Sequence, residues 1–197
     1  MTQSARPPTL KRCGWCGDDE LYVRYHDEEW GVPVLDGAGL YERLILEGMQ
    51  AGLSWITILR KRQRMFEQFF GFDMVRLAAS GEDQIREWLA DPGIIRHRGK
   101  LEAMVGNARL AIEHPDFAGW LWSFAPSKRR KHRSLSTVPA SSPESSAMSK
   151  ALKKQGFRFV GPTICYAFMQ SVGMVNDHVS ECHRFQPCAD LREKAIV

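Results

Sequence analysis

Apolar residues recur at intervals of three and four over most of the chain, a period that predicts helices rather than strands. Leu40, Leu44, Ile45 and Met49 share one helical face after Asp36. Ser54 stands at a cap position before a stripe of Trp55, Ile58, Leu59, Phe66, Phe69 and Phe70. Ser80 with Asp83 reads as a capping box ahead of Ile85, Trp88 and Leu89, and DPG at 91–93 stops that helix. A longer helix is predicted over 99–113, carrying Leu101, Met104, Val105, Ala108 and Ala111, until HPD breaks it. FAGWLWSF predicts a short aromatic helix, and 125–147, polar and rich in Ser and Pro, predicts an irregular surface segment. Only LYVRY alternates weakly, as a strand would. The expected class is all-α.

The stretch 146–173 has the form helix, tight turn, helix. GFRFVG is bounded by Gly156 and Gly161, and Pro162 suits a first helical turn, where its missing N–H is not needed. This is the spacing of a helix-hairpin-helix element, which aims backbone N–H groups and a helix N-terminus at a phosphate. A plain corner between two helices fits the same residues. With no repeat and no linker, one domain over 12–185 is expected, with flexible tails at 1–11 and 186–197.

Composition bounds the function loosely. The 197 residues are 44% hydrophobic and 25% charged, ordinary for a globular protein, and no apolar run is long enough to span a membrane. No secretory signal opens the chain, so a cytoplasmic protein is expected. The net charge of +4 is concentrated in RKRQR at 60–64, RHRGK at 96–100, KRRKHR at 128–133 and KALKKQGFR at 150–158. Such clusters serve either as solvated helix faces or as a surface for polyanions.

Two constellations carry candidate chemistry. Cys13 and His26 near one end, with His178 and Cys182 near the other, supply the Cys2His2 count of a closed structural zinc site. The last two are four apart, which a helical conformation would bring to one face. Cys16 forms CxxC with Cys13 and competes as a ligand or redox partner, while core thiols and surface histidines fit the same residues. Cys165 sits in an apolar context and reads as core. The second constellation is aromatic: Trp15, Tyr22, Tyr25, Trp30 and Trp55, with Glu47 in the apolar LEGMQAGLSW. Aromatic walls stack on a flat heterocycle, more strongly on a cationic one, and a carboxylate reads its amino edge. Core packing of the rings, with Glu47 facing solvent, is the alternative.

Taken together, CGW, YHDEEWGVP, LEGMQAGLSWITIL, GIIRHRGK, ALKKQGFRFVG and NDHVSEC resemble, in order over about residues 12–183, the bacterial DNA-3-methyladenine glycosylase I family. The resemblance implies an all-helical helix-hairpin-helix glycosylase fold with a zinc element joining the terminal regions. It implies a monomeric enzyme that hydrolyses the N-glycosidic bond of 3-methyladenine in double-stranded alkylated DNA, initiating base excision repair. Carried over, the zinc ligands fall on Cys13, His26, His178 and Cys182, and the base-contacting glutamate on Glu47. The pocket walls fall on Trp15, Tyr25 and Trp55, with Tyr22 and Trp30 close by. Gln50, Gly52 and Leu53 match a loop at the lesion opening, and Gly156, Phe157 and Gly161 the DNA-backbone anchor. The helix after the hairpin carries no lysine, so no lyase step is expected. Asp177 adjoins His178 and serves either to orient it or as a catalytic carboxylate.

Overall fold

The computed structural model describes residues 10–127 and 131–195, so most of the expected N-terminal arm and part of the KRRKHR cluster lie outside the described residues. Ten α-helices form among these residues: α1 Glu20–Glu28, α2 Gly37–Gln50, α3 Trp55–Gln68, α4 Met74–Ala79, α5 Glu82–Ala90, α6 Arg98–Glu113, α7 Phe117–Trp122, α8 Pro143–Lys154, α9 Pro162–Ser171 and α10 Phe185–Ala195. Within them no strand forms, only an isolated parallel bridge between His132 and Val179. LYVRY lies inside α1, where Asp19 accepts from the N–H groups of Leu21 and Tyr22 and fixes the helical start. A single cap outweighs a few alternating residues.

α2 is the axis of the fold. Eight of its residues are buried, from Leu40 and Tyr41 through Leu44 to Met49, so it is enclosed on several sides rather than along one stripe. It packs on α3, α6 and α9, and the hydroxyl of Tyr41 donates to the carbonyl of Met104 at 2.6 Å. Glu47, the charged member of this buried set, is only 3% exposed.

Several local expectations are corrected. α5 starts at Gly81 without a side-chain cap, while the Ser80 hydroxyl donates back to the carbonyl of Arg76. Ser54 does take the N-cap position of α3, but its side chain bonds the Thr57 hydroxyl rather than a backbone N–H. The irregular segment ends earlier than 147, because Ser142 and Ser145 form a reciprocal capping box and Pro143 opens α8. The C-terminal tail is a helix, α10, anchored by buried Cys188, Ala189 and Arg192. Arg192 donates to the carbonyls of Met174 and Pro126, which ties the helix to the body. Finally, the RKRQR cluster is engaged in ion pairs: Arg60 with Asp19, Arg62 with Glu29 and Glu42, and Arg64 with Asp91.

The α8–α9 hairpin follows the expected spacing. The N–H of Phe157 donates to the carbonyl of Leu152 and that of Gly156 to Lys153, a Schellman closure that needs the left-handed backbone of Gly156, φ 99°. Asn107 on α6 clamps the turn from outside its own helices, donating to the carbonyl of Arg158 and accepting from its N–H. Pro162 takes the first position of α9, with Gly161 as N-cap and Thr163 exposed beside it.

Candidate active site and metal centre

Four donor atoms, one from each of Cys13, His26, His178 and Cys182, lie within 4.8 Å of one another, and all four residues are buried. Sulfur-to-nitrogen distances are 3.6 Å for Cys13–His178, 3.4 Å for Cys182–His26 and 3.4 Å for Cys182–His178. His178 and Cys182 meet without a helix: residues 176–184 run through turns, held by the N–H of Cys182 to the carbonyl of Val179 and of Ser180 to His132. The spacing of four brings them together by a tight turn instead of one helical face.

Each ring is fixed by its other nitrogen. His26 Nδ1 is 2.7 Å from Asp27 Oδ1, leaving Nε2 to the cluster, and His178 Nε2 is 3.0 Å from the Trp30 carbonyl, leaving Nδ1. The sulfurs accept backbone N–H bonds from Val179 and Arg184 at 3.4 Å each. The Cys182 thiol is pulled down, chiefly by the neighbouring Cys13 side chain, whose own ionisation is pushed up by the same contact. Cys16 stays outside the group: its thiol donates to the carbonyl of Cys13 at 3.1 Å. Asp177 does not orient His178 in this arrangement, since Tyr166 and Gln170 donate to its carboxylate at 2.7 and 2.8 Å. His132 Nε2 stands 3.2 Å from its other oxygen, off the line of a hydrogen bond.

Immediately beside the cluster is a solvent-open cleft of about 600 Å³. Trp15, Tyr22, Tyr25, Trp30, Trp55, Glu47 and Gln50 all line it, as do Leu135, Val138, Ala167, Gln170 and Asp177. Trp15 meets Tyr22 edge to face at 5.2 Å and Trp30 at 4.9 Å, and Tyr25 tilts on Trp55 at 5.2 Å. Trp30 in turn abuts His178 at 4.6 Å, and Trp15 abuts His26 at 5.3 Å. One wall of the cleft is therefore the far face of the Cys2His2 cluster.

Two buried polar atoms in this cleft, Glu47 Oε2 and Trp55 Nε1, make no hydrogen bond to any protein group. Burial pushes the Glu47 carboxyl up to about 8, with the charge of Arg43 opposing the shift. An unpaired acceptor and an unpaired donor between aromatic faces describe a receptor for a flat, polar-edged ring.

The DNA-facing expectations divide. Gln50 lines the cleft, and the turn after it exposes Gly52, at φ 77°, and Leu53, 42% exposed. Gly156 and Gly161 bound the hairpin turn, but the Phe157 side chain is 4% exposed and stacks on Phe117, so it belongs to the core. Sequence reading missed Gln170, Leu135 and Val138 as cleft residues, since nothing local distinguishes them from an ordinary helix face and loop.

A family model described as methyladenine glycosylase matches residues 15–185. The chain is 49% identical over 179 residues to DNA-3-methyladenine glycosylase 1 of Escherichia coli (strain K12), covering 88% of this chain and 96% of that protein. A crystal structure of 3-methyladenine DNA glycosylase I superposes with a TM-score of 0.85 at 48% identity, over 88% of this chain and 98% of that one. A second, reported for 3-methyladenine recognition by the Staphylococcus aureus glycosylase I, gives a TM-score of 0.83 at 31% identity, over 89% and 97%. Matched along nearly all of its described helices, the chain belongs to the methyladenine glycosylase family.

Proposed function

We propose that the protein hydrolyses the N-glycosidic bond of 3-methyladenine in alkylated duplex DNA, releasing the base without a lyase step. The observation that carries this reading is the unpaired Oε2 of the Glu47 carboxyl, buried between Tyr25, Trp55 and the Trp15–Trp30 wall. At neutral pH burial keeps that carboxyl protonated while the cleft is empty. A cationic base entering the cleft draws its pKa down and pairs with the carboxylate; neutral adenine gains no such pair, so the cleft favours the alkylated base. The aromatic faces add cation–π attraction, and Trp55 Nε1 offers a donor to a ring nitrogen.

Alkylation at N3 already makes the base a good leaving group, so binding rather than strong acid catalysis lowers the barrier. The target nucleotide must leave the stack first. Gln50, which lines the cleft, and the exposed Leu53 fill the gap in this reading, and the N-terminus of α9 at Gly161 and Thr163 offers the backbone anchor. No lysine lines the cleft among the described residues, which supports direct hydrolysis over Schiff-base chemistry. The enzyme acts as a cytoplasmic monomer; among the described residues no helix is long and apolar enough to cross a membrane.

The Cys2His2 cluster holds one structural zinc ion. A tetrahedral ion with Zn–S of about 2.3 Å and Zn–N of about 2.0–2.1 Å sets S···N edges near 3.6 Å. Three of the four sulfur-to-nitrogen distances fall between 3.4 and 3.6 Å, and the two-sulfur, two-nitrogen donor set suits zinc. Bound zinc supplies a cross-link between the chain's terminal regions, and the residues around it place Trp15 and Trp30.

The test is chromatographic: free base released from methylated duplex DNA, compared with the Glu47→Gln variant. Selective 3-methyladenine release that falls by about a hundredfold in the folded variant is expected. Unchanged release would remove Glu47 from the mechanism.

A further inference from the structure

Lys100 is an anomaly in this fold. Its side chain lies at the start of α6, is only 6% exposed, and among the described residues pairs with no carboxylate. A lysine is almost never buried without a compensating partner. Here the ammonium donates to the carbonyls of Met49 and Ala51 at 2.9 and 2.6 Å, the last turn of α2 and the residue after it. Those carbonyls lack helical partners, and they lie at the negative end of the helix dipole. Desolvation lowers the lysine's pKa, the cost of placing it there.

The location gives the contact its meaning. Met49 and Ala51 flank Gln50, which lines the cleft, and the chain next turns through Gly52 to the exposed Leu53. Seven residues further along the same helix, Asn107 grips the hairpin turn through both backbone groups of Arg158. Positions seven apart share a helical face. One rigid helix thus holds, two turns apart, the loop at the lesion opening and the hairpin at the backbone. Gly48, in the last turn of α2, also lies close to Phe159 in the hairpin, which a Cβ there would reach in ordinary contact at 3.4 Å.

We infer that Lys100 is a positioning residue for base extrusion: it fixes the 50–53 loop on α6, in register with the hairpin clamped by Asn107. This rests on the proposed role of that loop in opening the duplex. Lys100 does not touch the base, so its loss acts on extrusion and leaves the cleft's affinity intact.

The experiment compares Lys100→Met, Leu53→Ala and the double variant in single-turnover excision from methylated duplex DNA. Binding of free 3-methyladenine is followed in parallel by quenching of tryptophan fluorescence. Lys100→Met is expected to slow excision about tenfold, the scale of a lost charge-assisted hydrogen bond, with base affinity within about twofold of the parent. The double variant is expected to be no slower than the worse single variant, because both act through one loop. Multiplying effects, equal loss of base affinity, or undiminished excision each overturn the inference. If Lys100→Met fails to fold, Lys100→Gln, which keeps N–H donors without the charge, takes its place under the same criteria. A silent Leu53→Ala in a protein slowed by Lys100→Met overturns the loop's assignment separately from the effect of the lysine.

Discussion

The two ends of the aromatic wall are opposites in one respect. At the Cys2His2 cluster each group is matched: both imidazoles are oriented by oxygen atoms, and both sulfurs accept backbone N–H bonds. In the cleft, a few ångströms beyond Trp15 and Trp30, Glu47 Oε2 and Trp55 Nε1 are buried without partners. Matched polar groups specify a structure, whereas unmatched ones cost stability and are retained where a ligand completes them. The difference separates a part of the molecule built to persist from one built to receive.

The sharpest way to break that comparison is to unmatch the cluster. Chelating the proposed zinc ion, or substituting Cys182→Ser, is expected to cost several kcal/mol and lower the melting temperature by about 10 °C or more. Loss of one equivalent of zinc without a change in melting would sink the structural role.

Next in size is the stability cost carried by Glu47. Its folded-state pKa, about 8, lies above the usual carboxylate value of 4.5. Below that lower value both folded and unfolded chains hold the proton. Between the two, the unfolded chain releases it while the folded chain keeps it, so stability falls as pH rises and levels off above the folded pKa. Denaturation of the parent relative to Glu47→Gln is expected to diverge by roughly 3 to 5 kcal/mol from pH 4.5 to 8. Parallel curves would mean that Glu47 is not held protonated.

Smaller still is Trp55→Phe, which keeps an aromatic face, though a smaller one, and deletes the unpaired donor. A loss of about tenfold in affinity for free 3-methyladenine, with little change in melting temperature, is the expected result of removing one buried hydrogen bond. Equal affinity would assign Trp55 to stacking alone.

Much of this architecture was legible because its signals are local. Asp36 before Gly37, Pro162 after Gly161, and the apolar period of α2 and α6 each mark an element within a few residues. The Cys2His2 set was legible from residue types and spacing, with the family motifs selecting it over core thiols and surface histidines, and the aromatic set was legible as residue types. What escaped depends on contacts across the chain. Nothing in RHRGK marks its lysine as buried, because its partners are carbonyls of another helix. Likewise, α10 looked like a tail because its few buried residues dock on distant loops. His178 and Cys182 satisfied a helical spacing, yet the Asn-Asp turn before them and the isolated bridge of Val179 to His132 favour a looped backbone.

The aromatic wall has a consequence for synthesis. Translation reaches the His178 and Cys182 that complete the cluster behind Trp15 more than 150 residues after Trp15 itself. Chains grow from the N-terminus at about 5–20 residues per second, so the first part of the active site waits on the order of ten seconds or longer for its backing. Throughout that interval Cys13 and His26 stand without the two residues that complete their cluster, and the aromatic wall of the cleft lacks its backing.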